Sequence, residues 1–191
     1  MVNKLWGRAL MCVVFFFPAT GVLAAETYKI DPSHSFVMFK ISHLGFSMLN
    51  GRFNELAGDF SYDPENPSNS RIQVEVQTAS VDSNWAERDK HLRSSDFLDV
   101  DKYPTAIFET TSYSESDGKG TLKGNLTLHG TTRPVTIAVE QVGAGKDPWG
   151  GFRRGFTGRT TIKRSDFGIS YNLGPQSDAM ELHFVVEGIR Q

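Results

Sequence analysis

Arg88, Asp89 and His91 fall within four positions of one another in the run 84–110. A guanidinium, a carboxylate and an imidazole this close fit three kinds of work: proton transfer, recognition of a ligand's polar end, or hydrogen bonds that tie one element to another. Proton transfer in catalysis needs a nucleophile or an oxyanion site, and the surrounding sequence offers neither. The single cysteine is Cys12, and there is no G-x-S-x-G elbow. Ser33-His34-Ser35 sets an imidazole among hydroxyls, but neighbours along a strand point to opposite faces. The histidines are His34, His43, His91, His129 and His183, and they form no H-x-x-x-H or H-E-x-x-H pair. Asp89 and His91 are two apart and would face apart on a helix. No catalytic set, no metal and no cofactor are therefore expected, and no Gly-rich phosphate loop is present. Pro148-Trp149-Gly150-Gly151 followed by Arg153 and Arg154 reads as a solvated hairpin or as an electropositive mouth for an anionic head group.

The first residues have a different task. Lys4 and Arg8 give a positive start, residues 9–17 are a short apolar run, and Pro18 and Gly21 break it. Val22-Leu23-Ala24 then supplies small residues for a cut after Ala24. This is the pattern of a secretory signal peptide over residues 1–24. Its removal takes Cys12 away, so residues 25–191 can form no disulfide and rely on their core. It also moves the formal charge from −2 to −4, which gives no electrostatic case for nucleic acid.

The elements that must position Arg88 and His91 are mostly strands. Apolar residues alternate with polar ones over residues 35–41, 71–77, 105–113, 121–128, 135–139 and 180–188, and more weakly over 50–62 and 152–164. Eight such strands joined by turn chemistry suit an all-β, eight-stranded antiparallel barrel in one domain, 25–191, with a sandwich as the alternative. Residues 43–49 read as a short helical turn. Residues 84–98 read as a helix with Asn84 as N-cap and Glu87 at the third position, Trp85 and Leu92 facing the barrel, and Glu87, Lys90 and Ser94 facing water. Alternation puts Phe39, Ile41, Val74, Phe108, Leu126, Ile137, Phe156 and Phe184 on inward faces, where they would line an interior, with Gly124 and Gly158 leaving room in it.

The run from Ala86 to Leu98 followed by Lys102-Tyr103-Pro104 resembles the YceI-like family of periplasmic proteins. So do Leu126-Thr127-Leu128-His129-Gly130, Thr132-Arg133-Pro134-Val135 and Asp147-Pro148-Trp149-Gly150-Gly151. Tyr28-Lys29-Ile30-Asp31, His43-Leu44-Gly45 and Ser165-Asp166-Phe167 complete the likeness in order along the chain. The resemblance implies a lipocalin-like extended barrel that binds a polyisoprenoid or similar long-chain amphiphile, and it carries over no catalytic residues. It leads to the expectation of a periplasmic carrier or sequestering protein, not an enzyme, with Arg88 and His91 touching the ligand's head group. Two alternatives stand beside it: an enzyme acting on an isoprenoid lipid or its pyrophosphate, and a ligand-free stress-response or adhesion module. The expected partners are the lipid, a transient contact with a membrane surface and a second copy of the chain.

Overall fold

Alternating sequence becomes strand along most of residues 25–191, the part of the chain that the computed structural model describes. The expected signal segment, residues 1–24, lies outside the described residues. The strands are β1 Glu26–Ile30, β2 Phe36–His43, β3 Ser47–Phe53, β4 Leu56–Tyr62, β5 Arg71–Gln77, β6 Val81–Asp82, β7 Thr105–Ser116, β8 Lys119–Leu128, β9 Thr131–Lys146, β10 Phe152–Lys163 and β11 Ala179–Arg190. Among the described residues there is one α-helix, α1 Ala86–Arg93, between β6 and β7.

All pairings are antiparallel, and β1–β4–β5–β7–β8–β9–β10–β11 closes on itself where β11 meets β1. Three walls are composite. β1 and β2 share β11 as partner: Ile30 pairs with Gly188, and after a turn at residues 31–35 Phe36 pairs with Val185. β3 continues into β4, and β5 into β6, with β3 pairing β2 and β6. The result is an eight-stranded barrel drawn from eleven segments. Closure leaves no long free edge, which suits a chain with no disulfide.

The faces separate cleanly. Arg71, Gln73, Glu75, Lys119, Thr121 and Lys123 are exposed outside, while Ile72, Val74, Val76, Leu122 and Leu126 point in. Apolar inside and polar outside is the reverse of a membrane-spanning barrel. Two core clusters occupy the interior: Phe39, Val81, Phe97, Leu98, Leu128, Ile162, Phe167, Ile169 and Leu182 towards one end, called here the roof, and Tyr28, Ile30, Val37, Leu56, Phe60, Tyr62, Val76 and Tyr113 towards the other, the floor.

Several local expectations are corrected. Residues 43–49 are a hairpin, not a helical turn: Leu44 (φ 55°) and Gly45 (φ 83°) are both left-handed, and Phe46 N–H donates to His43 O at 2.9 Å. Two successive left-handed residues reverse the chain with the twist that flanking strands need. The helix spans Ala86–Arg93, shorter than 84–98, and its N-cap is Trp85. Asn84 lies before it at φ 68°, a conformation Asn tolerates, and this reversal leaves Trp85 61% exposed instead of facing the barrel. Leu92 does face the interior.

Of the two glycines, Gly158 borders the interior cavity and Gly124 does not, and neither leaves space for a further side-chain atom without contact. A Cβ on Gly124 would strike the Phe108 ring at 2.4 Å, and one on Gly158 would meet Ile137 at 3.0 Å. Aromatic and branched side chains already lie across them.

Candidate functional site: an apolar cavity between unlike ends

The inward faces enclose a cavity of about 390 Å³. Phe39, Ile41, Val74, Phe108, Leu126, Ile137, Phe156 and Phe184 all border it, as do Leu122, Val139, Met180 and Val186. Its few polar neighbours include His43, Arg88, His91 and Arg164, all at the roof end. A second depression, about 820 Å³, lies on the outer wall. Lys40 pairs with Glu181 at 3.7 Å and Arg52 with Asp82 at 3.8 Å across it, and Arg159 is exposed beside them, so it is a solvated outer wall.

The roof is built by α1 and two loop segments. Asp89 is buried and accepts hydrogen bonds from Ser83 N–H at 2.8 Å and from the Ser83 hydroxyl. Arg88 Nε donates to Ser83 Oγ at 2.7 Å and its Nη2 to Ser83 O. Arg93 donates to Ala79 O and Val81 O, at 2.6 and 2.7 Å. Helix charges therefore tie α1 to the wall, while one edge of Arg88 borders the cavity. His91 Nε2 lies 2.9 Å from Asp96 Oδ2, and its ring meets Phe97 and Tyr171 edge to face at 4.9 and 5.4 Å. Arg164, buried, holds the other segment by donating to Ser177 O, Ile169 O and Tyr171 O. At the same end the hairpin tip exposes Leu44, Met48 and, at 86%, Phe46.

The floor is sealed differently. Arg154, expected in a surface turn, points inward, because it sits two residues before inward-facing Phe156 on β10. Its Nε donates to Tyr28 Oη at 3.1 Å, its Nη1 to Gln141 Oε1 at 2.7 Å, and its Nη2 lies 3.3 Å from Glu26 Oε2. The guanidinium also lies 4.0 Å from the Tyr62 ring centre. Tyr62 and Tyr113 both donate to Glu115, at 3.2 and 2.6 Å. Burial, then the Glu115 carboxylate, pushes the Tyr113 hydroxyl well above its ordinary value. Burial works to raise the Glu26 carboxyl, but hydrogen bonds from Tyr28, Arg190 and Arg154 outweigh it and hold the group low. A β-bulge in β9 opposite Gly155/Phe156 keeps Gln141 in reach of Arg154. Alternation alone could have flagged Arg154; nothing in the sequence signals that Tyr28 and Tyr62 converge on it.

Two further clusters were missed. Residues 31–35 form a turn, so Ser33 and His34 do meet, contrary to the strand reading: Ser33 Oγ lies 3.0 Å from His34 Nδ1, which lies 2.9 Å from Asp31 Oδ2. This is no nucleophile relay. Serine and carboxylate share one ring nitrogen, and the serine hydroxyl also donates to Asp31. Asp31, His34 and Glu187 are also close enough to share a cation. A cation is already there: Arg153 Nη1 donates to Asp31 Oδ2 at 2.7 Å and to Glu187, and Arg153 Nε donates to Asp147 at 2.9 Å. Arg153, like Arg154, is neutralised by partners and forms no electropositive mouth.

Known proteins share this architecture. A UPF0312 protein of Pseudomonas aeruginosa is 52% identical over 177 residues, covering 92% of each chain. Another from Azotobacter vinelandii is 53% identical over 175 residues, covering 90% of this chain and 91% of the relative. The crystal structure of a Campylobacter jejuni YCEI protein superposes with a TM-score of 0.71 at 30% identity, covering 79% of this chain and 90% of that one. A domain from Saccharophagus degradans, described as polyisoprenoid binding and implicated in plant cell wall breakdown, shares the fold with a TM-score of 0.63 at 17% identity, over 86% and 98% of the two chains. The YceI-like domain model matches residues 28–188, both barrel ends included, and the chain belongs to the YceI-like family.

Proposed function

We propose that the protein is a non-catalytic periplasmic carrier or sequestering protein that buries the chain of a polyisoprenoid or similar amphiphile in its barrel. The observation that carries this is the cavity itself: about 390 Å³, within the usual size of small-molecule sites, with an almost wholly apolar lining. Each buried methylene contributes about 0.8 kcal/mol before ordering costs, so a modest chain supplies useful affinity without covalent chemistry. The eight lining residues read from the alternation are the proposed contacts. The head group belongs at the roof, beside Arg88 and His91, because the floor arginine has protein partners on every nitrogen. The exposed tip of Leu44, Phe46 and Met48 at that end is the proposed point of transient contact with a membrane, and residues 1–24 are the proposed export signal. The shared fold is what suggests for this chain the ligand class described for the Saccharophagus domain.

Native mass spectrometry of gently purified protein tests the reading. Bound long-chain lipid, or uptake of added polyprenol from vesicles that slows in Phe46→Ser, is the expected result. Protein that stays empty after incubation with polyprenol would sink the carrier. Chemical conversion of the bound lipid would favour the enzyme instead.

A further inference from the structure

We infer that Phe156 is the end-stop that sets how much of an apolar chain the barrel can take. The inference rests on the lipid-binding reading above and adds a specificity-determining residue to it. Phe156 borders the cavity on one side. On the other it packs against the floor, edge to face with Phe60 at 5.8 Å and tilted against Tyr62 at 5.8 Å. Behind it, Phe60 stacks flat on Tyr28 at 4.7 Å, and Tyr62 carries the Arg154 guanidinium. Tyr28, Phe60 and Tyr62 do not border the cavity, so on this side Phe156 is the ring that stands between apolar space and polar floor, with Ile72, Leu122 and Val186 beside it. A hydrocarbon chain that enters from the roof and runs to the floor end abuts this ring, the bulkiest of the side chains that border the cavity there.

The stop is held firmly. Moving Phe156 towards the floor would require displacing Tyr62 from Arg154, and that arginine is tied to Glu26, Tyr28 and Gln141. Close packing leaves no slack for the ring to yield to a longer chain. A chain that is too long must therefore leave its surplus at the roof, in water.

Prenyl alcohols of rising length, from geraniol upward, would be titrated by displacement of the fluorescent dye N-phenyl-1-naphthylamine. In the unmodified protein affinity should climb roughly fourfold per buried methylene until the chain reaches the ring, then level off. Phe156→Ala removes the six ring carbons, so the break should move to chains longer by roughly one isoprene unit. Phe156→Trp should move it to shorter chains, and where Phe156→Ala folds poorly, Phe156→Leu should still move it to longer chains than in the unmodified protein, by less than one isoprene unit. Breaks at one common length in unmodified and substituted proteins would overturn the end-stop while leaving the carrier intact. Absence of prenyl alcohol binding in the unmodified protein would instead overturn the carrier reading beneath it.

Discussion

At the floor, a buried arginine is wedged among Tyr28, Tyr62, Gln141 and Glu26, and all these groups come from strands of the closed ring. At the roof, Asp89 and Arg88 reach one serine, and the covering pieces are an eight-residue helix and two loop segments. Both ends pack aromatic rings against one another. They differ in what must break to open them. Opening the floor means breaking the sheet, whereas α1 can lift when a handful of hydrogen bonds and the His91–Phe97–Tyr171 cluster part. Regions with fewer ladder hydrogen bonds open at lower free energy, so in the proposed carrier ligand traffic belongs to the roof.

The floor should give the largest effect on stability. Arg154→Met removes a buried charge, leaves the Gln141 side chain without its partner and reduces Glu26 to Tyr28 and Arg190, a loss of about 3 kcal/mol in urea unfolding. The rate of apolar dye entry should stay as it was. Asp89→Ala is the matching cut at the roof. It strands a buried Ser83 N–H and hydroxyl and should cost about 2 kcal/mol. Its signature differs: amide exchange should rise in Ala86–Arg93 before the strands, and dye entry should quicken. Equal quickening in both variants would erase the distinction between the ends.

The same contrast explains what could be read in the sequence. The roofed cavity was legible because its lining follows strict alternation, and Phe39, Val74, Ile137 and Phe184 all face inward as the period of two requires. The floor was not. Its rings come from β1, the end of β4 and β7, and the break at residues 31–35 and a bulge at Thr110/Ser112 interrupt the phase before the last of them. Tyr113 faces inward only because that bulge resets the alternation after Phe108. At the roof the limit was local geometry. Leu44 and Asn84 take left-handed conformations that apolar patterning does not reveal, which hid a hairpin inside residues 43–49 and turned Trp85 outward.

The smallest effect should come from the outer side of the floor. There Asp31, Arg153, Asp147 and Glu187 staple the turn between β1 and β2 to β10 and β11. Hydrogen bonds from Ser33, then from Arg153 and His34, hold the Asp31 carboxyl far below its ordinary value of 3.8. A carboxyl depressed on folding contributes stability that is fully present above that ordinary value and fades as pH falls below it. Asp31→Asn should therefore lower the urea midpoint by a constant amount near neutrality, and the gap from the unmodified protein should shrink below about pH 4. Dye entry should not change at any pH, since this staple touches neither the roof nor Phe156. A gap that stays constant into acid would show that the depressed carboxyl is not what Asp31 contributes. Faster entry in Asp31→Asn would mean that the floor wall loosens with its staple, and the two ends would then be less independent than their construction implies.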